Sequence, residues 1–160
     1  MGLIRRGVSL LREEGLISFT KGTLRYLRKR ILLFRGVMTL SVNNTTAQFV
    51  ANEEGVISAT LSRLQEEEYE LVSILDEVSE DDVFYDIGAN TGLYSCFVAN
   101  KCDRCQVVEF EPYPPNITEL KENAELNNPK RISIFEIALS DTSGTMSFST
   151  PEEPTPGHGT

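Results

Sequence analysis

Hydrophobic residues recur along this chain at changing spacings, and each spacing predicts a different element. Leu3, Ile4, Val8, Leu11, Leu16, Phe19, Leu24, Leu27 and Ile31 follow one another mostly at three to five residues, with Arg and Lys between them. That period predicts one or two helices over residues 3–33, with Gly15 and Gly22 as the expected breaks. Residues 37–42 and 47–51 read as short strands about a polar turn at Asn43 and Asn44. Residues 58–78 predict a helix. Its apolar stripe is Leu61, Leu64, Leu71, Ile74, Leu75 and Val78, with the glutamates at 66–68 on the wet side.

From residue 83 the pattern changes. A short apolar run at 83–87 predicts a buried strand. It is followed by a glycine-bearing turn at 88–92 and a helix at 93–100. A second strand at 106–110, a helix at 114–127 and a third strand at 131–136 continue the alternation. Pro114 and Pro115 fall in the first helical turn, where a missing N–H does no harm. Strands alternating with helices imply parallel pairing through right-handed crossovers. The expected class is therefore α/β: a Rossmann-like, parallel-core sheet flanked by helices, with an N-terminal helical extension. Residues 145–149 read as a fourth, peripheral strand. The last ten residues, with three prolines and two glycines, read as a loop. Three core strands are fewer than an open sheet of this class normally has, so the expectation is an incomplete sheet and a fragment of a longer domain. The expected division is 1–35 as a basic helical extension, 36–80 as accessory strands and helix, and 81–160 as the first half of the sheet domain.

Charge sharpens this division. The net charge is −9, but residues 1–35 carry nine basic and two acidic residues, whereas the other 125 carry six basic and 22 acidic. The first segment is thus +7 and the body −16. An acidic body repels nucleic acid phosphates, and no aromatic stacking platform is evident, so nucleic acid is not an expected partner. The basic segment reads as a packed accessory helix with a solvated face, or as an amphipathic arm on an anionic membrane. The acidic composition also resembles proteins adapted to high salt. No run approaches the roughly 20 apolar residues of a membrane span, and no secretory signal is evident. The expected location is the cytoplasm, with peripheral membrane contact through residues 1–35 as the sharper alternative. Three cysteines, Cys96, Cys102 and Cys105, argue against a disulfide framework and for reduced, partly buried thiols. Cys102 and Cys105 form a C-x-x-C pair, but a zinc site needs two further ligands, and the single histidine, His158, sits in the C-terminal Pro/Gly loop. No metal is expected. Triplets of glycosylation type at 43–46 and 116–118 are read as chance.

The chemistry-bearing motif is Asp86-Ile87-Gly88-Ala89-Asn90-Thr91-Gly92. It lies at the end of one expected strand and opens a helix. Glycines there permit a tight turn and close approach of a ligand to the main chain, while the helix start offers free N–H groups. Asp86 is placed to accept from an amine or to anchor the loop. Glu111 ends the second strand, 19 residues after Gly92. A carboxylate there can accept hydrogen bonds from both ribose hydroxyls of a nucleoside. Glu109 shares the face of Glu111 and competes for that role, but only Glu111 stands at the strand's edge. A glycine turn alone is a weak signal; the order strand, turn, helix, strand, acid is much more specific.

Three stretches, VFYDIGANTGLYS, VVEFEPYPPNITELKENAELNN and IALSDTSGTMSF, resemble the first half of the FkbM methyltransferase family. The resemblance covers roughly residues 81–160 and rests on the D-x-G-A-N-x-G turn, with Asn90 where many nucleotide sites have glycine, and on the Glu111–Pro112 pair. It implies a class I methyltransferase fold, S-adenosylmethionine as cofactor and O-methylation of a hydroxyl on a glycan or related metabolite. Carried onto this sequence, it assigns Asp86, Gly88, Ala89, Asn90, Gly92 and Glu111 to the cofactor, and puts Ala138 near its adenine end. It implies a small-molecule or glycan acceptor. No catalytic base and no oligomeric state are legible. Two other readings stand beside it. One is a nicotinamide-dependent dehydrogenase, which the absent G-x-G-x-x-G spacing disfavours. The other is a non-catalytic or membrane-associated nucleotide-binding half-domain.

Overall fold

The computed structural model describes residues 30–145, together with Leu27. The expected helices before residue 30, the strand at 145–149 beyond its first residue, the C-terminal loop and His158 lie outside the described residues. Residues 30–35 are helical and end at Gly36.

An antiparallel hairpin follows, β1 (Val37–Val42) and β2 (Thr45–Val50), in the register Val37↔Val50 to Val42↔Thr45. Its two-residue turn needs left-handed backbone at both positions. Asn43 and Asn44 supply it, with φ of 45° and 62°, because asparagine tolerates that region better than other side chains. The tight turn lets β2 begin at Thr45, two residues before the periodicity suggests. Alternation then buries Thr45, Ala47 and Phe49 and exposes Thr46 and Gln48.

Helix α1 (Glu54–Glu77) begins four residues before the expected start, so Ile57 and Thr60 join Leu71 and Leu75 on its buried face, while Leu61 stays 42% exposed. Next come β3 (Val83–Ile87), α2 (Leu93–Lys101), β4 (Gln106–Phe110), α3 (Pro114–Leu126), a 3-10 turn (Pro129–Arg131) and β5 (Ile132–Phe135). The three strands pair in parallel in the order β3-β4-β5, with Asp86 beside Glu109 and Glu109 beside Ile134. This is the βαβαβ half of a Rossmann-like sheet.

Segment 36–80 and the sheet share one core. Met38, Phe49, Ile57, Leu71 and Leu75 pack in the same cluster as Phe97, Val98 and Val107, and β2 packs against both α2 and α3. Asn123 of α3 and Asn127 at its C-cap weld the hairpin on. Asn123 Oδ1 accepts from Val50 N at 2.8 Å, and Asn127 Oδ1 accepts from Gln48 N at 2.8 Å. Asn127 Nδ2 donates back to Gln48 O. These side chains satisfy a strand edge that would otherwise present unpaired groups to the helix.

The sheet's other face has no helix on it among the described residues. Alternation sends Val83, Tyr85 and Ile87 there, exposed by 50%, 61% and 66%, with Phe135 at 47%. Tyr85, Phe110 and Phe135 stack in a row across the three strands, with centroid separations of 6.4 and 5.4 Å. None of the described helices is long and apolar enough to cross a membrane.

Two expectations are corrected. The strand at 83–87 is not buried: only Asp86 is, because one face of the sheet is bare among the described residues. Cys102 and Cys105 are disulfide-bonded, not reduced, and only Cys96 is a free, buried thiol. An odd cysteine count leaves at least one thiol unpaired and so speaks against a full disulfide framework. It does not speak against a bridge within a single turn. Here the chain reverses between α2 and β4 and brings the two Cα atoms to 5.8 Å, within the usual span. Glu80 holds the turn by accepting from Asp103 N and Arg104 N, and Arg131 donates to Ala99 O and Cys102 O at the C-terminal end of α2. A cation there also complements the helix dipole. Among the described residues no group of three His, Cys, Asp or Glu is arranged to hold a metal ion.

Candidate functional site

The turn between β3 and α2 is built from alternating left-handed residues. Gly88, Asn90 and Gly92 have φ of 79°, 55° and 82°. This explains the Asn90 position: asparagine is the side chain that adopts such backbone at least cost. The two glycines serve different ends. At Gly92 a Cβ would lie 2.8 Å from Leu120 Cδ1 and 3.3 Å from Glu109 Oε1, so the turn is pressed onto α3 and β4 from below. At Gly88 a Cβ would meet nothing within 4 Å. That side of the turn is open.

The turn is anchored at four points. Gly88 N and Ala89 N donate to Phe110 O at the end of β4. Asn123 Nδ2 donates to Thr91 O at 2.8 Å. Ser95 Oγ donates to Asp86 at 2.6 Å, and the Ser95 backbone also bonds Asp86. Asn90 N donates to Glu111 Oε2 at 2.8 Å. Asp86 therefore acts as the loop's anchor on the first turn of α2. Burial raises its pKa, with Ser95 opposing.

Glu111 sits just past β4 and is 5% exposed. Its Oε1 accepts from Tyr113 N at 2.8 Å, while its own N donates to Phe135 O. The two N–H bonds fix the carboxylate on the turn, and each oxygen retains a second lone pair for a ligand hydroxyl. A diol-bearing nucleoside fits these groups: an oriented carboxylate that accepts, an open glycine face and the N-terminal end of a nine-residue helix.

Asp86, Gly88, Ala89, Asn90, Gly92 and Glu111 are thus assembled at the carboxyl ends of β3 and β4. Ala138 lies exposed in the loop that leaves β5, at the same end of the sheet.

Glu109 has a different fate. It is fully buried beneath the turn, and neither carboxyl oxygen has a hydrogen-bond partner. Burial pushes its pKa up to about 8; the nearby Ser95 hydroxyl, whose hydrogen bond goes to Asp86, offsets this only in part, and the charge of Asp86 adds to it. It is carried as a neutral acid and is out of a ligand's reach.

Two contributors escape sequence reasoning. Asn123 joins the hairpin and the turn by bonding both Val50 N and Thr91 O. Replacing it by alanine strands both groups at once, and we expect a loss of about 2–3 kcal/mol in urea unfolding. The N-x-x-x-N spacing of Asn123 and Asn127 on one helix face is the only sequence signal for it. The other is Arg63 of α1, whose guanidinium reaches Thr91 Oγ1 at 3.4 Å and pairs with Glu67. The Arg63–Glu67 spacing at i, i+4 was legible, but its direction was not: Glu67 is half-buried, not on the wet side.

With known proteins the likeness is partial. No family model matches the chain. Over 83 residues it is 36% identical to the hexuronic acid methyltransferase AglP of Haloferax volcanii, a stretch covering 52% of this chain and 31% of that protein. Over 68 residues it is 38% identical to the AMB antimetabolite synthetase AmbE of Pseudomonas aeruginosa, covering 42% of this chain and 3% of that one. Among solved structures, an S-adenosylmethionine-dependent methyltransferase from Agrobacterium tumefaciens superposes with a TM-score of 0.40 at 18% identity, covering 63% of this chain and 32% of that chain. The chain spans less than a third of the length of the curated relatives it matches, and its similarity to them is to proteins that include a methyltransferase.

Proposed function

We propose that this chain is the cofactor-binding part of an S-adenosylmethionine-dependent methyltransferase of the FkbM type, acting on a hydroxyl of a glycan, with a uronic acid-bearing sugar as the first acceptor class to test. The observation that carries the reading is the closure of the Asp86–Gly92 turn onto Glu111 with the Gly88 side left open. The 36% identity to a hexuronic acid methyltransferase supports both the reaction and the acceptor class.

In this reading Glu111 takes the ribose hydroxyls, and the turn and the start of α2 receive the methionine portion. Asp86 keeps the turn in place through Ser95. The cofactor, when bound, supplies a methyl group on a sulfonium. The protein's share of such a displacement is positioning and exclusion of water; among the described residues we assign no base to the acceptor hydroxyl.

Calorimetric titration with S-adenosylhomocysteine tests the reading. We expect 1:1 binding, weakened about 10- to 100-fold by Glu111→Ala, since the substitution strands buried donors and removes the diol acceptor. Preferential binding of NADH would instead favour a dehydrogenase. A folded chain that binds neither ligand would contradict the assignment.

A further inference from the structure

We infer that Arg63, on the helix before the sheet, is the counter-charge for the carboxylate of the cofactor's methionine portion. The inference rests on the cofactor reading above and adds to it a residue from outside the glycine turn.

The carboxyl end of the sheet is acidic: Asp86, Glu111 and Glu119 are all buried there or close by, beside the neutral acid Glu109. An anionic ligand group entering this region meets repulsion unless a cation offsets it. Beyond residue 35 the sequence has only six cations, Arg63, Lys101, Arg104, Lys121, Lys130 and Arg131. Arg104 pairs with Asp81, Lys121 pairs with Glu136, and Arg131 caps the far end of α2. Lys101 closes that same far end of α2, and Lys130 lies in the 3-10 turn before β5. Of these six, Arg63 is the one whose side chain hydrogen-bonds the turn. Its charge acts on Asp86, on Glu119 of α3 and on Tyr94 of α2.

Its geometry suits the task. Glu67 engages the guanidinium through Nε and Nη2, both at 3.1 Å. That fork-to-fork pair fixes the plane of the group. The remaining nitrogen, Nη1, is left pointing at Thr91, in the turn itself, at 3.4 Å. A guanidinium has five N–H donors, so Nη1 has one to give a ligand beyond its contact with Thr91. The side chain is only 17% exposed, which reduces solvent screening of its charge. Glu67 in turn hydrogen-bonds Tyr94 on the first turn of α2. The cation, its orienting carboxylate and the turn therefore form one connected unit.

The test uses two ligands that differ only in the carboxylate: S-adenosylhomocysteine and its decarboxylated thiopropylamine analogue. Titrations are run on the 160-residue chain as wild type, Arg63→Met and Glu67→Gln, with thermal melts to establish that each is folded. The expected result is that Arg63→Met weakens S-adenosylhomocysteine about 10- to 30-fold, in line with the worth of a charged hydrogen bond. The decarboxylated ligand changes less than about twofold on the same scale. Glu67→Gln, which loosens the fork without removing the charge, is expected to give a smaller loss, again confined to the carboxylate-bearing ligand. If Arg63→Met weakens both ligands equally, Arg63 only supports the turn and the inference is overturned; if it weakens neither, it is likewise overturned. If the wild-type chain binds neither ligand, the cofactor reading itself has failed, and this inference falls with it. Should Arg63→Met not fold, the Glu67→Gln comparison carries the same decision.

Discussion

Replacing Gly92 by alanine is expected to destabilise the fold by about 3–4 kcal/mol, a large fraction of the stability of an ordinary domain. Two costs add. Gly92 has φ of 82°, where an L side chain pays roughly 1–2 kcal/mol. Its Cβ would also lie 2.8 Å from Leu120 Cδ1. Leu120 is fully buried, so its methyl can give way only by pressing on its own neighbours, and overpacking of this kind costs about 1–3 kcal/mol. Gly88→Ala is the informative contrast. Gly88 shares the positive φ, but nothing lies within 4 Å of its Cβ position. It is expected to cost only the backbone share, about 1–2 kcal/mol, while placing a methyl on the face where the ligand is to lie. Urea unfolding of both variants checks the ranking. Equal losses would show that Leu120 yields and that the turn is not clamped from below.

The second large effect is a pH dependence assigned to one residue. The folded-state pKa of Glu109 is raised from 4.5 to about 8. A raised carboxyl binds its proton more tightly in the folded than in the unfolded chain. Its contribution is therefore fully present below about pH 4.5 and is lost as pH rises through about 8. Wild-type stability should fall over that window by roughly 2–4 kcal/mol on account of this group. Glu109→Gln keeps the shape and cannot ionise. It should match the wild type within about 1 kcal/mol at pH 5.5 and exceed it by roughly 2–4 kcal/mol at pH 9. Asp86 and Cys96 lie nearby and are themselves raised by burial; both persist in the variant, so the difference between the two proteins reports Glu109 together with its coupling to them. Parallel stability curves for the two proteins would contradict the buried neutral acid.

These two residues also mark how far the sequence could be read. The strand at 83–87, the turn, the helix after it and the strand at 106–110 were legible because each is a local pattern: an apolar run, glycines, an apolar helix, another apolar run. Glu111 was separable from Glu109 by position, since only one of them passes the end of its strand, and the structure puts Glu111 on the turn and Glu109 beneath it. That Glu109 is buried without a partner was not legible. Its environment is made by the parallel register with Asp86 and by Leu120 and Cys96 arriving from two helices. Arg63 and Asn123 were hidden for the same reason. Each lies about 30 residues in sequence from Thr91, and only the packing of α1 and α3 around α2 brings them to it. The disulfide was misread because an odd cysteine count excludes only the pairing of every cysteine and leaves room for one bridge, which Cys102 and Cys105 form across one turn.

The bare face of the sheet is a direct consequence of the same alternation that buries Asp86 and Glu109. Tyr85, Phe110 and Phe135 form an aromatic row on it. A contiguous apolar surface of this kind is uncommon on a soluble domain unless another element covers it.

The central claim is that an adenosyl cofactor seats on the turn from Asp86 to Gly92 against Glu111. The most direct test is a two-dimensional amide NMR titration of the 160-residue chain with S-adenosylhomocysteine. The account predicts that the largest shifts fall on Gly88, Ala89, Asn90, Gly92 and Glu111, with the amides of β1 and β2 nearly unmoved. A folded spectrum in which those five amides stay in place, or in which the largest shifts lie elsewhere, would contradict it.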